Sequence, residues 1–267
     1  MEKTEQQKRA QRIADALPNL SEGQIIWIED MISQFSRPFE YTANLASDLI
    51  TDRFLVDFGD TLRVHHCFSK QAFTKDKFEY VFERVSNLCG IPAIMAPKNN
   101  PGYDILVANQ KISLKTEAAA NLNLEKIHIS KFMELGKPIW TDNPGDLIGL
   151  RVLFLDRVAA CDRIITLRAM SKAGSEWYYE LVEIPKQLLE KAITGDLKMM
   201  VNSRQVGAKP GYCFVRDDLG NTLFELYFDG GSERKLRIQK LLKTNCIIHA
   251  TWSFSLEDIL GGGNAVQ

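Results

Sequence analysis

GYDILVANQKISLKTE, residues 102–117, holds two short apolar runs divided by a polar turn. DILVA (104–108) is apolar and suited to a strand, Asn109 and Gln110 supply turn chemistry, and KISLKTE (111–117) alternates with a period of two. The spacing predicts a hairpin. Successive strand side chains point to opposite faces, so Ser113, Lys115 and Glu117 share one face while Leu114 and Thr116 share the other. A lysine inside an otherwise apolar strand is costly to bury without a partner. Asp104, at the start of the preceding strand, is placed to be that partner.

The elements next to this hairpin extend the pattern. FTKDKFEYVFERVSNLCG (73–90) reads as a helix, with Thr74 as its cap, Phe78, Val81, Phe82 and Val85 as its apolar stripe, and Gly90 as its stop. IPAIMAP (91–97) precedes the hairpin as a further short strand, and EKIHISKFM (125–133) follows it as a strand or strand-to-helix segment. Upstream, residues 5–16 and 22–35 are expected to be helices. The second has a capping box at Ser21 and Gln24 and a buried face of Ile25, Ile28, Ile32 and Phe35 beside Met31. Residues 40–52 read as a third helix and 54–68, broken by Gly59, as a hairpin or irregular strand pair. On such a strand His65 and His66 would face opposite ways, which argues against joint metal binding. Downstream, 147–158 and 163–171 read as two strands or as a strand and a helix, 176–185 as a strand and 186–195 as a helix. The part from 211 to 254 is β-rich, with a turn at Asp218, Leu219 and Gly220.

The bulk numbers bound the function. The 267 residues carry 33 Lys and Arg against 34 Asp and Glu, a formal net charge of −1. A non-specific duplex binder usually carries a basic surplus, whereas a specific enzyme can gather its cations in one cleft. Five scattered cysteines show no zinc spacing and, being odd in number, no disulfide framework. The charged beginning does not resemble a signal peptide and no run approaches a membrane span, so the expectation is a soluble, cytoplasmic protein. No G-x-x-x-x-G-K-[ST] loop is present, and no nucleotide cofactor is expected.

Phosphodiester hydrolysis calls for a carboxylate-held divalent metal that activates water, helped by a cation near the phosphate. GYDILVANQKISLKTE resembles the PD-(D/E)xK signature of type II restriction endonucleases and their repair relatives. The upstream FEYVFERVSNLCG is similar to the helix that precedes the core hairpin in that superfamily. The resemblance covers about residues 73–135. It implies an α/β fold with a restriction-endonuclease-like core, a central mixed sheet flanked by helices, and a β-rich C-terminal part. It implies Mg²⁺ held by Asp104, Lys115 positioning or activating the attacking water, and Glu79 joining the metal shell from the helix. The pattern departs from the signature at Ser113, where an acid is usual. Glu79 is the first candidate to replace it, Glu117 the second and Glu125 a weaker third.

The whole chain, 1–267, then reads as a single endonuclease domain: a helical N-terminal part (1–72), the catalytic core (73–135), and a part (136–267) that completes the sheet and recognises DNA. Asn202, Arg204, Gln205 and Lys209 in NSRQVGAKPGY, and Arg234, Lys235, Arg237 and Gln239 further on, are residue types that read base edges or grip phosphates. His128 and Lys131 are of types that could join them, although His128 also suits a hydrogen-bonded histidine beside the core. The same cations also suit a solvated edge strand that discourages aggregation. The implied activity is Mg²⁺-dependent cleavage of double-stranded DNA at a specific sequence, leaving 5′-phosphates, by a homodimer matched to a two-fold site. A repair nuclease of the same fold and a non-catalytic DNA-binding protein that lost an acid at Ser113 are the alternatives.

Overall fold

The computed structural model describes residues 3–97, 100, 102–118, 122–137, 140–172, 176–205 and 208–256. Helices α1 (Glu5–Ala16) and α2 (Glu22–Phe35) begin at Thr4 and Ser21, each closing a capping box with the glutamine three residues on. The apolar stripe of α2 is less covered than its spacing suggests. Ile25, Ile28 and Met31 are half-buried, but Ile32 and Phe35 lie exposed.

Two expectations for the next segment are corrected. Residues 40–52 do not form a helix of their own: β1 (Phe39–Ala43) is followed by turns that lead to the Thr51 cap, and Asp52 opens the next helix. Residues 54–68 belong to a helix, α3 (Asp52–Phe68), instead of a strand pair. Phe54, Phe58, Leu62 and His66 recur every four residues and are all buried, a helical repeat. Gly59 is there for packing. A Cβ at that position would stand 2.5 Å from the side chains of Trp252 and Tyr41, so glycine lets α3 lie close against the sheet.

Helix α4 (Lys75–Leu88) starts at the Thr74 cap and buries Phe78, Val81, Phe82 and Val85 as expected. The chain leaves it through Gly90 at φ +78°. Then come β2 (Ala93–Met95), β3 (Ile105–Val107), β4 (Gln110–Ala118) and β5 (Lys126–Glu134). The turn between β3 and β4 falls one residue earlier than the Asn109–Gln110 reading. Val107 pairs with Gln110, and Ala108 and Asn109 between them both have positive φ, as two-residue hairpin turns require.

Residues 147–158 lie in a helix, α5 (Asp146–Ala159), which carries the chain back to β6 (Arg163–Lys172), parallel to β4. After β7 (Glu176–Glu183), α6 (Lys186–Glu190) and a short 3₁₀ turn come β8 (Asp196–Met199), β9 (Gly211–Arg216), β10 (Thr222–Phe228), β11 (Lys235–Leu242) and β12 (Ile247–Ser255). The strands form two sheets. A seven-stranded mixed sheet runs β1-β12-β7-β6-β4-β3-β2, and a five-stranded antiparallel sheet runs β5-β11-β10-β9-β8.

One core packs the large sheet against α3 and α4, through Phe58, Phe82, Leu114, Leu167 and Trp252. The other fills the space among its opposite face, α5 and the second sheet, through Phe154, Val158, Ile164, Val182 and Phe224. Strand β4 lies between them and sends Leu114 into the first core. Among the described residues no helix is long and apolar enough to cross a membrane.

Candidate active site

Residues Ser113, Lys115 and Glu117 alternate with Ile112 and Leu114 along β4, and all five are buried. A polar row buried inside a sheet must be satisfied by partners, and the partners define the site. Asp104 stands at the mouth of the β3–β4 hairpin, its amide donating to the Ile112 carbonyl. Its Oδ2 accepts from Ser113 Oγ at 3.0 Å and from the Leu114 amide at 2.7 Å, and lies 3.6 Å from Lys115 Nζ. Its Oδ1 lies 2.8 Å from Lys75 Nζ at the start of α4.

Lys75 Nζ is also 2.8 Å from Glu79 Oε1, one turn along the same helix. Asp104 and Glu79 therefore converge on one ammonium group. Glu79 Oε1 is buried and receives no well-directed hydrogen bond, only this charge contact. Burial raises the Glu79 carboxyl above its usual range, with Lys75 opposing and Asp104 reinforcing the rise. For Asp104, burial works the same way but is outweighed by Lys115 and Lys75, which hold it low. Burial pushes Lys115 down to about 8, partly opposed by Asp104 and assisted by the nearby charges of Lys75 and Arg157. Arg157, near the end of α5, has a buried Nε with no hydrogen bond.

The structure does not bring Glu117 to this cluster. Its Oε2 accepts from Arg168 Nε at 2.6 Å and its Oε1 from the His128 amide at 2.8 Å. Arg168, fully buried on β6, also binds Glu180 and the carbonyls of Asn123 and Lys126. Glu117 thus ties the end of β4 to the start of β5. Glu125 is exposed at the entry to β5.

Among the described residues no group of three or more His, Cys, Asp or Glu could hold a metal ion. The Asp104–Glu79 pair fits Mg²⁺ nonetheless, because that ion uses one or two carboxylates and retains several waters. His65 and His66 lie on α3 and not on a strand, and His65 Nε2 stands 2.7 Å from the Gln71 carbonyl. His66 Nδ1–H donates to the Ser69 carbonyl and its Nε2 accepts from Tyr179 Oη.

The residues expected to meet DNA divide into two groups. His128, Arg237 and Gln239 lie on the outer side of the second sheet, because Ile127, Ile129, Leu236 and Ile238 point inward. His128 and Gln239 line a groove that begins at Glu117, two residues beyond Lys115. Arg237 lies over the Tyr227 ring and pairs with Asp229. Asn202 and Arg204 are exposed on the β8–β9 connection and Gln205 is half-buried there. Arg234 sits in the β10–β11 turn at φ +40°. Lys131, Lys209 and Lys235 pair with Glu134, Asp142 and Glu233. Local acids thus balance these three lysines.

Sequence reasoning missed Lys75 and Arg157. The four-residue step from Lys75 to Glu79 on a helix was a visible signal. Nothing local marked Arg157, whose position depends on how α5 packs.

No solved structure matches the chain. A curated relative, the type II restriction enzyme SmaI of Serratia marcescens, is 43% identical over 212 residues, covering 79% of this chain and 83% of the relative. The family model for SmaI, a type II site-specific deoxyribonuclease, matches residues 13–254, which include α4, the β3–β4 hairpin and most of both sheets. On this match the chain belongs to the SmaI family of type II site-specific deoxyribonucleases, and it is a restriction endonuclease.

Proposed function

We propose that the enzyme cleaves double-stranded DNA with Mg²⁺ held by Asp104 and Glu79, leaving 5′-phosphate ends. The observation that carries this reading is the convergence of two carboxylates and the buried Lys115 at the mouth of one hairpin. Bound there, Mg²⁺ would supply a water of lowered pKa and charge for the phosphate. Ser113 and the Leu114 amide fix Asp104 through its Oδ2 and leave Oδ1 on the Lys75 ammonium that Glu79 shares. Lys115 is held by burial beside Asp104, where its lowered pKa suits it to orient the attacking water and accept its proton. Glu117 braces β4 through Arg168 instead of serving the metal.

Recognition is assigned to the outer face of the second sheet and the neighbouring loops. His128 and Gln239 would read or grip DNA from the groove beside Glu117 and Arg237 from the same sheet face, with Lys131 and Lys235 on β5 and β11 and Asn202, Arg204, Gln205, Lys209 and Arg234 on the connections that follow β8 and β10. A homodimer is the fitting assembly, since a two-fold protein matches a two-fold site. The exposed Ile32 and Phe35 of α2 offer an apolar face for a second copy. Five unpaired thiols fit a cytoplasmic setting.

Incubation with plasmid DNA tests the reading. Mg²⁺ should give discrete fragments with 5′-phosphate ends, and a chelator should stop cleavage. Intact DNA with Mg²⁺, or undiminished cleavage by Asp104→Asn, would overturn it.

A further inference from the structure

Lys75 occupies the space between the two acids from which the proposed metal site is built. Its Nζ stands 2.8 Å from Asp104 Oδ1 and 2.8 Å from Glu79 Oε1. A Mg²⁺ ion bound to the same two oxygens at about 2.0–2.1 Å would compete with that ammonium group for both of them. The two cations exclude each other. Lys75 is also poorly placed for its own helix, since a cation in the first turn opposes the macrodipole. The carboxylates hold it there.

The two lysines of the cluster differ in their freedom to move. The Lys115 side chain is 4% exposed and enclosed, whereas that of Lys75 is 42% exposed on a flexible four-carbon stem. With Lys75 in place, two ammonium groups balance two carboxylates, and the free enzyme has little electrostatic need for another cation. A DNA strand reaching this cluster brings phosphate oxygens, which are good partners for a mobile lysine.

Resting on the proposed site, we infer that Lys75 is an internal counter-ion that keeps divalent metal off Asp104 and Glu79 in the free enzyme and transfers to a DNA phosphate on binding. Metal and DNA then bind cooperatively, because the phosphate that takes Lys75 vacates the carboxylates for the metal. The arrangement confines the loaded site to enzyme on DNA.

The test measures Mn²⁺ binding to the DNA-free, full-length protein by electron paramagnetic resonance or calorimetry. Lys75→Gln should tighten Mn²⁺ binding by about tenfold or more over the native protein, while Lys75→Arg, which keeps the charge, should not. Unchanged or weaker binding by a folded Lys75→Gln protein would overturn the inference, as would equal tightening in Lys75→Arg. Adding Asp104→Asn to Lys75→Gln should abolish the gain. If the double variant instead binds Mn²⁺ as tightly as Lys75→Gln, the metal lies elsewhere and the site reading itself falls. The second half is tested by fluorescence anisotropy in chelator, using a labelled fragment of a plasmid that the enzyme cleaves. Lys75→Gln should bind the fragment more weakly, with a salt dependence reduced by about one phosphate contact. Unchanged affinity and slope would overturn the transfer to phosphate.

Discussion

Lys115 Nζ lies 3.6 Å from Asp104 Oδ2, with both side chains nearly closed to solvent. The lysine is the costlier member to keep charged, because Asp104 has Lys75, Ser113 and the Leu114 amide as further partners. A residue that is expensive to bury and well supported in place has the profile of a functional group.

Lys115→Met should therefore separate function from stability. Asp104 retains Lys75, so no carboxylate is orphaned. Cleavage should fall by about 10²-fold or more, while stability at neutral pH stays level or rises by on the order of 1–3 kcal/mol. The native protein should also gain stability as pH rises from about 8 towards 10.5. Over that interval Lys115 has lost its proton in the folded state but not in the unfolded one. Urea unfolding near neutrality and at alkaline pH checks both, and the alkaline gain should be absent from the variant.

The two candidate acids should part in a paired experiment. Glu79→Gln should raise the Mg²⁺ concentration needed for cleavage by about tenfold with little loss of stability. Glu117→Gln should leave that requirement unchanged but cost about 3 kcal/mol, because it removes a charged partner from the buried Arg168. Metal titration of cleavage, with urea melts alongside, distinguishes them.

Acid should unfold the protein partly through His66. Burial pushes its imidazole down to about 3 from 6.5, against the opposing hydrogen bond to Ser69. The stability this confers is fully present above 6.5 and is lost as pH falls, since the unfolded chain takes up a proton that the native ring refuses. Between about pH 7.5 and 5 the loss from this group should be about 2 kcal/mol. Urea melts at the two pH values measure it, and His66→Gln should reduce the difference.

One substitution in the groove and one beside it on β5 should sort readers from grippers. Gln239→Ala should narrow the preference for cleavable over non-cleavable duplex by about 1–3 kcal/mol. Lys131→Ala should weaken both duplexes alike and lower the salt slope by about one. Anisotropy with the two duplexes at several salt concentrations checks both, and equal losses from Gln239→Ala would remove it from recognition.

Much of the site was legible because its signals are local. A capped helix with an i, i+3, i+4 stripe ending at Gly90, then an alternating hairpin with a lysine in mid-strand, are periodicities that one segment carries unaided. They led to Asp104 and Lys115, which the fold brings within 3.6 Å. Segment α3 misled because its apolar residues and Gly59 look like broken strands. The reason for Gly59 lies in Tyr41 and Trp252, 18 residues before it and 193 after it.

The sequence by itself determined the secondary structure around the hairpin and the shared face of Ser113, Lys115 and Glu117, since backbone geometry alone sets which side chains point together. Only the tertiary structure decided what each of them meets on that face. Lys115 meets Asp104, whereas Glu117 meets Arg168, carried in on β6 by the turn of α5. Only packing decided that the first turn of α4 reaches the mouth of the hairpin, placing Lys75 between Glu79 and Asp104. Charge pairs across elements depend on how helices and strands dock, and no spacing within a single segment encodes that distance.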